Sequence, residues 1–492
     1  MTVPGPIFIL GVPVVVAVGL QFLRRWTAVT AWLGAVTAGL IGAGVVFLPL
    51  TQPWQLGSLE IELGEPLLIL GRKLIVQPVD RFALAFLFFT TAGLFVVAWR
   101  LLPHSNFFPI GLVTVSLLAG ALLVEQVVYT ALLVVMAAVL AVFPLHEPET
   151  MSGRAGTEEH GDGSRTSGGL RYMAYAVLAL PGLMITQLLL DLFATFPNDQ
   201  GLLSGAAVLM SLSFAILFGA VPFQSWLSNV AMNGSPPVVT FIFTVNLGTV
   251  WFMLLSYLQS YAWLERQVAF GPLLTALGLL MMITGGLLAA SQQSLGRLVG
   301  YATLVDNGAM LLALSLERAE GIALASMLLL ARPLSLSLMT LGLQGLRSVG
   351  GGDDSWEAVS GAAWRTPWRA VAFMVGGIAL AGFPISLSFP ARWGLYRLLA
   401  AKNLFWALLA LGGSAGVMLG LVGVIRSLLT PPATGTRPRA VGPGVRAITV
   451  VEDRGVLLLI VVLILVSLIL GLFPQQVGRV SLQMAEWYTF FQ

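Results

Sequence analysis

The chain has 492 residues, of which 57% are hydrophobic and 10% charged, with a mean hydropathy of +0.91 and a formal charge of +3. This composition excludes a soluble globular protein, because apolar runs of this extent need hydrocarbon around them. Cysteine is absent, so we expect no thiolate zinc site and no iron–sulfur ligation by this chain. The basic residues are mostly arginines at the ends of apolar runs, which indicates membrane topology and gives no reason to expect nucleic-acid binding.

Apolar stretches of about 18 residues or more predict fourteen membrane-spanning helices. The histidines, His104, His146 and His160, all fall between these stretches, so we expect no metal site, no bound cofactor and no catalytic redox centre on this chain. The predicted spans lie near residues 4–23, 27–50, 79–100, 107–124, 126–145, 171–196, 202–221, 237–262, 267–290, 297–316, 320–345, 369–400, 404–427 and 454–474.

The arginines divide unevenly when alternate loops are assigned to two faces of the membrane. Most of them, from Arg24 to Arg454, fall on the same face, which is therefore expected to be cytoplasmic. Both termini are then predicted on the outer face, in keeping with a multi-pass protein of a bacterial inner membrane. The first apolar run lacks a basic leading segment and is followed at once by another span, so we expect it to be retained.

The segments between the spans divide the chain into predicted regions. Residues 51–78 alternate polar and apolar residues around glycines, which predicts a hairpin on the outer face. Residues 146–170 are rich in Gly, Ser and acidic residues and predict a flexible cytoplasmic loop, and the proline-rich stretch 428–453 predicts a linker. The aromatic tail after Pro474 is expected to lie at the membrane interface. We expect N-terminal spans with the hairpin in 1–100, a first half in 101–262, a second half in 263–427, and the linker, last span and tail in 428–492.

Two segments in opposite halves interrupt their own helices with proline and glycine. A membrane helix keeps such interruptions only where protein or a water-filled cavity satisfies the freed backbone groups. Matched interruptions in two halves point to a transport site near the middle of the membrane. The positions that break the helices are predicted to be Pro222, Pro236 and Pro237 in the first half, and Pro384 and Pro390 in the second.

The residues around these breaks resemble the antiporter-like membrane subunits of respiratory complex I, multisubunit sodium/proton antiporters and membrane-bound hydrogenases. The elements that carry the resemblance are Pro222-Phe223-Gln224-Ser225-Trp226-Leu227 with Gly234 to Val238, Arg297-Leu298-Val299-Gly300-Tyr301-Ala302-Thr303, and Leu380 to Arg392. The resemblance covers roughly residues 75 to 430. It implies an all-α polytopic membrane protein of about fourteen helices with two inverted repeats, each containing a broken helix. It also implies homologous antiporter-like and small membrane subunits as partners, with quinone and iron–sulfur clusters bound in other subunits.

The family's line of lysine, histidine and glutamate residues, thought to pass protons, is mostly missing from this sequence. The first lysine corresponds to Leu217, the next to Gly248 or Thr249 with Asn246 as the closest strongly polar residue, and the paired glutamate falls near Val135. The only lysines, Lys73 and Lys402, lie at span ends. The first half therefore offers little that could load and release a proton.

The second half has exchanged its titratable residues for others. The family's histidines correspond to Asp306 and Arg332 and its terminal lysine to Arg392, with Asn307 beside the aspartate. Arginine is effectively never deprotonated in a protein, so both arginines are fixed positive charges. A full charge in the middle of a span costs on the order of 3 kcal/mol, so we expect Asp306 to pair with Arg332 or Arg392. The predicted ion-pathway residues are Asp306, Arg332, Arg392, Asn246 and Asn307.

Two functions from different classes fit this sequence. The first is a proton-translocating, antiporter-like subunit in the membrane arm of a complex I-like quinone oxidoreductase that takes electrons from NAD(P)H or ferredoxin. The alternative is a degenerate subunit of such a complex that keeps the fold and the contacts between subunits but no longer conducts. A component of a cation or inorganic-carbon transporter is a third interpretation.

Overall fold

The computed structural model describes residues 2–50, 54–56, 59–69, 72–103, 105–145, 162–265, 270–431, 453–488 and 490. These residues are mostly helical, because long apolar runs in a membrane must satisfy their backbone groups internally. The helices are α1 Gly5–Leu23, α2 Thr27–Phe47, α3 Asp80–Ala98, α4 Phe107–Leu123, α5 Val127–Leu145, α6 Asp162–Thr195, α7 Gln200–Phe218, α8 Ser225–Asn233, α9 Pro236–Phe241, α10 Leu247–Ser260, α11 Ala262–Glu265, α12 Phe270–Ser291, α13 Leu295–Leu314, α14 Ala319–Val349, α15 Pro367–Ala381, α16 Phe389–Lys402, α17 Leu404–Leu429, α18 Arg454–Leu472 and α19 Gln475–Glu486.

Eleven of the described helices are long and apolar enough to cross a membrane, counting α9 and α10 with the π-helical turn Ile242–Asn246 between them as one. Two shorter apolar helices, α4 and α15, have fewer than 18 residues. The protein is therefore a polytopic α-helical membrane protein, and the count of fourteen spans stays a prediction. The most apolar 18-residue stretch of Pro236–Ser260 is wholly buried, whereas that of α18 is 17% buried. The continuous helix from α9 to α10 therefore lies at the centre of the bundle, and α18 at its edge.

Short strands follow the second helix, where the hairpin was predicted. Strands β1 Thr2–Pro4, β2 Trp54–Leu56 and β3 Leu59–Glu62 form a sheet in the order β1-β3-β2, with β1 parallel and β2 antiparallel to β3. Strands β4 Leu67–Ile69 and β5 Arg72–Leu74 pair antiparallel. The described residues of this segment thus form antiparallel strand pairs, and the N-terminal strand β1 joins the first of them.

Both predicted helix interruptions are present, and each begins in the same way. Helix α7 is followed by Gly219, with φ +69°, and helix α15 by Gly382, with φ +81°. Only glycine enters this left-handed region without cost, and it commonly ends helices there. The chain then turns and resumes as α8 and α16. One broken helix therefore belongs to each half.

The prolines occupy two different kinds of position around these breaks. Pro222 and Pro384 lie in the turns between the half-helices, as predicted. Pro236 and Pro237, predicted as part of the first break, instead begin the next helix, α9, and Pro390 lies at the start of α16. A proline in the first turn of a helix costs little, because its missing N–H would have no partner there anyway. The first break is therefore shorter than the sequence suggested.

The predicted loop and linker lie mostly outside the described residues. Of the loop 146–170, residues 162–170 are already part of α6, so that part of the prediction is wrong. Extending an existing helix adds one hydrogen bond per residue, which outweighs the weak helix preference of Gly and Ser. Of the linker 428–453, the first residues belong to α17, and residues 432–452 are not described.

The aromatic tail packs onto the bundle through one face of α19. Its buried residues Ser481, Met484 and Ala485 face inward, while Val480 and Leu482 on the other side are about half exposed. Helix α19 contacts α14, and Tyr488 just beyond it is only 2% exposed. Burial raises the pKa of the Tyr488 hydroxyl above its ordinary value, and the nearby Asp80 adds to this effect.

Candidate functional site

The centre of the second half holds a buried cluster of three charges. Asp306 on α13 accepts from Arg332 on α14, with Arg332 Nε and Nη2 at 2.8 and 2.7 Å from Asp306 Oδ2. Its other oxygen, Oδ1, accepts from Arg392 Nη2 on α16 at 3.0 Å. The three side chains are at most 2% exposed. The predicted ion pair is therefore present, and it includes both arginines where the sequence required only one.

The local structure explains why Arg392 reaches the aspartate. Arg392 lies in the first turn of α16, directly after the second break, so the break brings its backbone close to the end of α15. A Cβ on Gly382 would overlap Arg392 Cγ, which leaves no room for any side chain at that position. The glycine is therefore needed twice, for its backbone conformation and for the passage of the arginine.

The cluster carries a net charge of +1, since two arginines share one carboxylate. Backbone carbonyls take part of the excess: Arg392 Nη2 donates to Leu380 O at 3.3 Å, and Arg332 Nη1 to Phe243 O at 3.4 Å. Leu380 is near the C-terminal end of α15, where unpaired carbonyls carry partial negative charge. Arg392 Nη1 also donates to Ser414 Oγ at 3.1 Å. The Arg392 guanidinium thus binds the Asp306 carboxylate, a carbonyl near the end of α15 and the Ser414 hydroxyl.

Asn307, next to the charged aspartate, connects α13 to the first break. Its Nδ2 donates to Phe218 O, the last carbonyl of α7, at 3.0 Å. Trp226 Nε1 donates to Ile216 O in the same helix end at 3.3 Å. Two adjacent residues of α13 therefore contact the two breaks. Asn307 bonds to the end of α7, and Asp306 bonds to Arg392 at the start of α16.

The centre of the first half is almost uncharged. Asn246 ends the π-helical turn before α10, and its Nδ2 donates to Tyr172 Oη at 2.8 Å. Beside this pair is a cavity of about 10 Å³, lined otherwise by apolar residues that include Leu217 and Val134. Leu217 is the position at which the resemblance implies a lysine, and Val134 adjoins the position at which it implies a glutamate. The structure therefore has a small, neutral cavity at the place where the resemblance implies a proton-carrying pair.

A second buried ion pair, between Arg347 and Asp354, was not predicted from the sequence, where Arg347 has the appearance of one more basic residue at a span end. Arg347 Nη2 lies 2.8 Å from Asp354 Oδ2, and both residues are 6% exposed. The same guanidinium donates to the carbonyls of Ala231, Met232 and Gly234 at 2.8–2.9 Å. It therefore caps the C-terminal end of α8, where a positive charge is favoured.

Asp354 completes this connection between the halves. Its Oδ1 accepts from Ser294 Oγ at 2.7 Å and its Oδ2 from the Gly296 backbone N–H at 3.1 Å, both at the start of α13. One signal in the sequence points to this ion pair. It is an arginine in the last turn of a helix, followed by Gly350-Gly351-Gly352 and an aspartate. The half-helix α8 is thus bonded to the second half at its end.

Metal coordination finds no support in the part of the chain that the structure describes. No group of three or more His, Asp or Glu residues there is arranged to hold a metal ion. The site consists of fixed charges, amides and helix ends, and it is suited to electrostatic interaction rather than to covalent chemistry.

Solved structures share this architecture over nearly the whole chain. A chain of the Mrp complex from Dietzia sp. superposes with a TM-score of 0.75 at 17% identity, covering 98% of this chain and 97% of that one. A chain of the archaeal membrane-bound sulfane sulfur reductase gives 0.72 at 16% identity, covering 98% and 96%. A chain of respiratory complex I from Thermus thermophilus with bound aureothin gives 0.68 at 18% identity, covering 96% and 98%. At these identities the likeness establishes the fold alone, which this chain shares with a chain of each of these three complexes.

The sequence comparisons lead to a family. The family described as NADH:quinone oxidoreductase/Mrp antiporter, TM, matches residues 167–419. The NADH-quinone oxidoreductase subunit N of Chromohalobacter salexigens is 27% identical over 285 residues, or 53% of this chain and 57% of that protein. The match therefore spans little more than half the length of this relative. The chain belongs to the transmembrane family of NADH:quinone oxidoreductase and Mrp antiporter subunits.

Proposed function

We propose that this chain is a membrane-arm subunit of a complex I-like quinone oxidoreductase that supports the arm and conducts no ions along its own central axis. Its partners would be homologous antiporter-like subunits and small membrane subunits, with quinone and iron–sulfur clusters in other chains. The family membership and the relative called subunit N support the kind of complex. The arginine asymmetry supports a bacterial inner membrane location with both termini outside.

The main support for a subunit that conducts no ions is the buried charge cluster around Asp306. A proton relay needs groups that load and release protons, and arginine does neither in a protein. Arg332 and Arg392 are at most 1% exposed and share a single carboxylate, so the cluster keeps its positive excess permanently. A fixed positive charge in a low-dielectric centre repels protons and other cations. The small cavity of the first half is bordered by the neutral Asn246–Tyr172 pair and otherwise by apolar residues.

Proton translocation through the second half is the competing function, and one observation favours it. Asn307 Oδ1 and Arg392 Nε are buried without a hydrogen-bond partner among the described residues. Buried polar atoms of this kind are commonly satisfied by ordered water. Water at these atoms would border the carboxylate of Asp306, which is the one group in the cluster able to take up a proton.

The two functions make opposite predictions for a variant that removes all three charges together. Replacing a buried charge cluster by apolar residues of similar volume is often neutral for stability. We therefore expect the complex with Asp306→Leu, Arg332→Met and Arg392→Met to assemble. In sealed vesicles it should move as many protons per quinone reduced as the unchanged complex, at the same rate.

A control variant removes an exposed ion pair, Arg100 with Asp453, at 42% and 46% side-chain exposure. Arg100→Gln with Asp453→Asn should leave both assembly and proton counts unchanged. A lower proton count in the assembled triple variant, with the control unaffected, would refute the non-conducting function and support translocation through Asp306.

A further inference from the structure

Two cavities lie along the same side of α10. The larger, of about 110 Å³, is at the end of the helix that is predicted to face outward. Its lining mixes apolar side chains with polar ones that include Asp80, Glu125, Ser256 and Tyr261. This volume has room for several water molecules among groups that can bond them. We call it the vestibule.

The smaller cavity, of about 10 Å³, lies deeper and borders Asn246 and Tyr172. It is large enough for about one water molecule. Asn246 Oδ1 is buried without a hydrogen-bond partner in the described part of the chain, although Nδ2 of the same amide is bonded to Tyr172. An acceptor without a donor in an apolar surrounding is costly, so this cavity is suited to hold water.

The linings of the two cavities adjoin along two helices. On α10, Met253 lines the vestibule and Val250 lines the deeper cavity. Three residues along a helix correspond to a rise of about 4.5 Å. On α4, Leu122 lines the vestibule and Leu118 the deeper cavity, about 6 Å apart by the same measure. Both helices therefore place the same kind of apolar barrier at the same depth.

We propose that Met253 is a gate that admits water from the vestibule to the Asn246–Tyr172 cavity. Methionine is unbranched and turns about its side-chain bonds more freely than a β-branched residue such as Val250. Met253 is 1% exposed, so in the present conformation the gate is closed. Beyond the deeper cavity the lining is apolar at Leu217, so the water path ends there. This gate concerns water entry in the first half and does not depend on whether the second half conducts.

The absence of cysteine from the whole chain makes the gate directly testable. Single cysteines are introduced into the full chain in sealed membrane vesicles, and the silver ion, a membrane-impermeant thiol reagent close to water in size, is added from either side. We expect Ser256→Cys to react from the outer side. Val250→Cys should react at least tenfold more slowly, and adding Met253→Ala to it should raise the rate at least tenfold.

The controls separate gating from general loosening of the fold. Val250→Cys with Met281→Ala, which truncates an equally buried methionine on α12, should remain slow. Ser256→Cys with Met253→Ala should react like Ser256→Cys alone, which shows that the fold is kept. The proposal is overturned if Val250→Cys alone reacts as fast as Ser256→Cys, or if Met253→Ala leaves it slow. Should Met253→Ala fail to accumulate, Met253→Cys decides: labelling from the outer side supports the gate and full protection overturns it.

Discussion

Neutralising Asp306 removes the carboxylate that, among the described residues, pairs with two buried arginines. In the variant Asp306→Asn, the side chain keeps its size, but the charge that binds Arg332 at 2.7 Å and Arg392 at 3.0 Å is lost. Breaking a buried ion pair by removing one partner costs about 3–5 kcal/mol, because the remaining charge is left uncompensated. Since two arginines lose the same partner, we expect the free energy of unfolding to fall by the upper part of that range.

The structure also limits how far the cost can be relieved. Arg392 would still donate to Leu380 O and Ser414 Oγ, and Arg332 to Phe243 O. These carbonyl and hydroxyl groups carry only partial charges, so they satisfy the N–H groups without balancing the full charges. Neither guanidinium can reach water without moving α14 or α16. The arginines therefore remain as two mutually repelling buried charges.

The assay is unfolding of the purified chain in detergent, together with its abundance in membranes. A loss of about 4 kcal/mol corresponds to a change of roughly 10³-fold in the folding equilibrium. The triple apolar variant at positions 306, 332 and 392 should stay within about 2 kcal/mol of the unchanged chain, because it leaves no buried charge without a partner. Asp453→Asn, at the exposed pair with Arg100, should cost less than about 1 kcal/mol. If Asp306→Asn unfolds like the unchanged chain, the charge cluster does not have the energetic role assigned to it.

Three further predictions concern the breaks, the α8 cap and the tail. Gly382→Ala should lower the free energy of unfolding by about 1–3 kcal/mol, because φ is +81° and the new Cβ would meet Arg392; Gly412→Ala, with open space around it, should not. Arg347→Gln should speed amide hydrogen exchange at the end of α8 and leave α7 unchanged, since three backbone carbonyls lose their cap; unchanged exchange in α8 would contradict this. Burial raises the pKa of Tyr488 in the folded protein. The contribution of Tyr488 to the free energy of unfolding is therefore fully present below the unfolded pKa of about 10 and is lost as pH rises above it. The free energies of unfolding at pH 8 and pH 11 should therefore differ less in Tyr488→Phe than in the unchanged chain.

The sequence was sufficient to predict the breaks and the main ion pair because each follows from a strong local rule. Proline and glycine clustered within a few residues of a membrane helix favour a break, and a charge in a span favours a partner. Neither rule says how many partners an aspartate will have. The link from Asp306 to both arginines depends on how α14 and α16 pack around α13, and this packing is not visible in any one segment of the sequence.

Other parts of the site had no usable signal in the sequence. The π-helical turn Ile242–Asn246 lies in an ordinary apolar run, so nothing marks it before the helices are packed. Arg347 has the appearance of a topology residue, and its role depends on α8 ending within reach of its guanidinium. Pro236 and Pro237 were predicted to break a helix, but they begin α9. A proline pair that starts a helix cannot be told by composition from one that breaks it.

The neighbouring positions of Asp306 and Asn307 on a single helix have a mechanical consequence. An α-helix turns by about a third of a revolution from one residue to the next, so α13 reaches toward both halves of the protein from one level. Rotating or sliding α13 by a single residue step would detach it from the end of α7 and from Arg392 in the same movement. A displacement of α13 that starts in either half therefore changes the contacts of α13 with both halves at once.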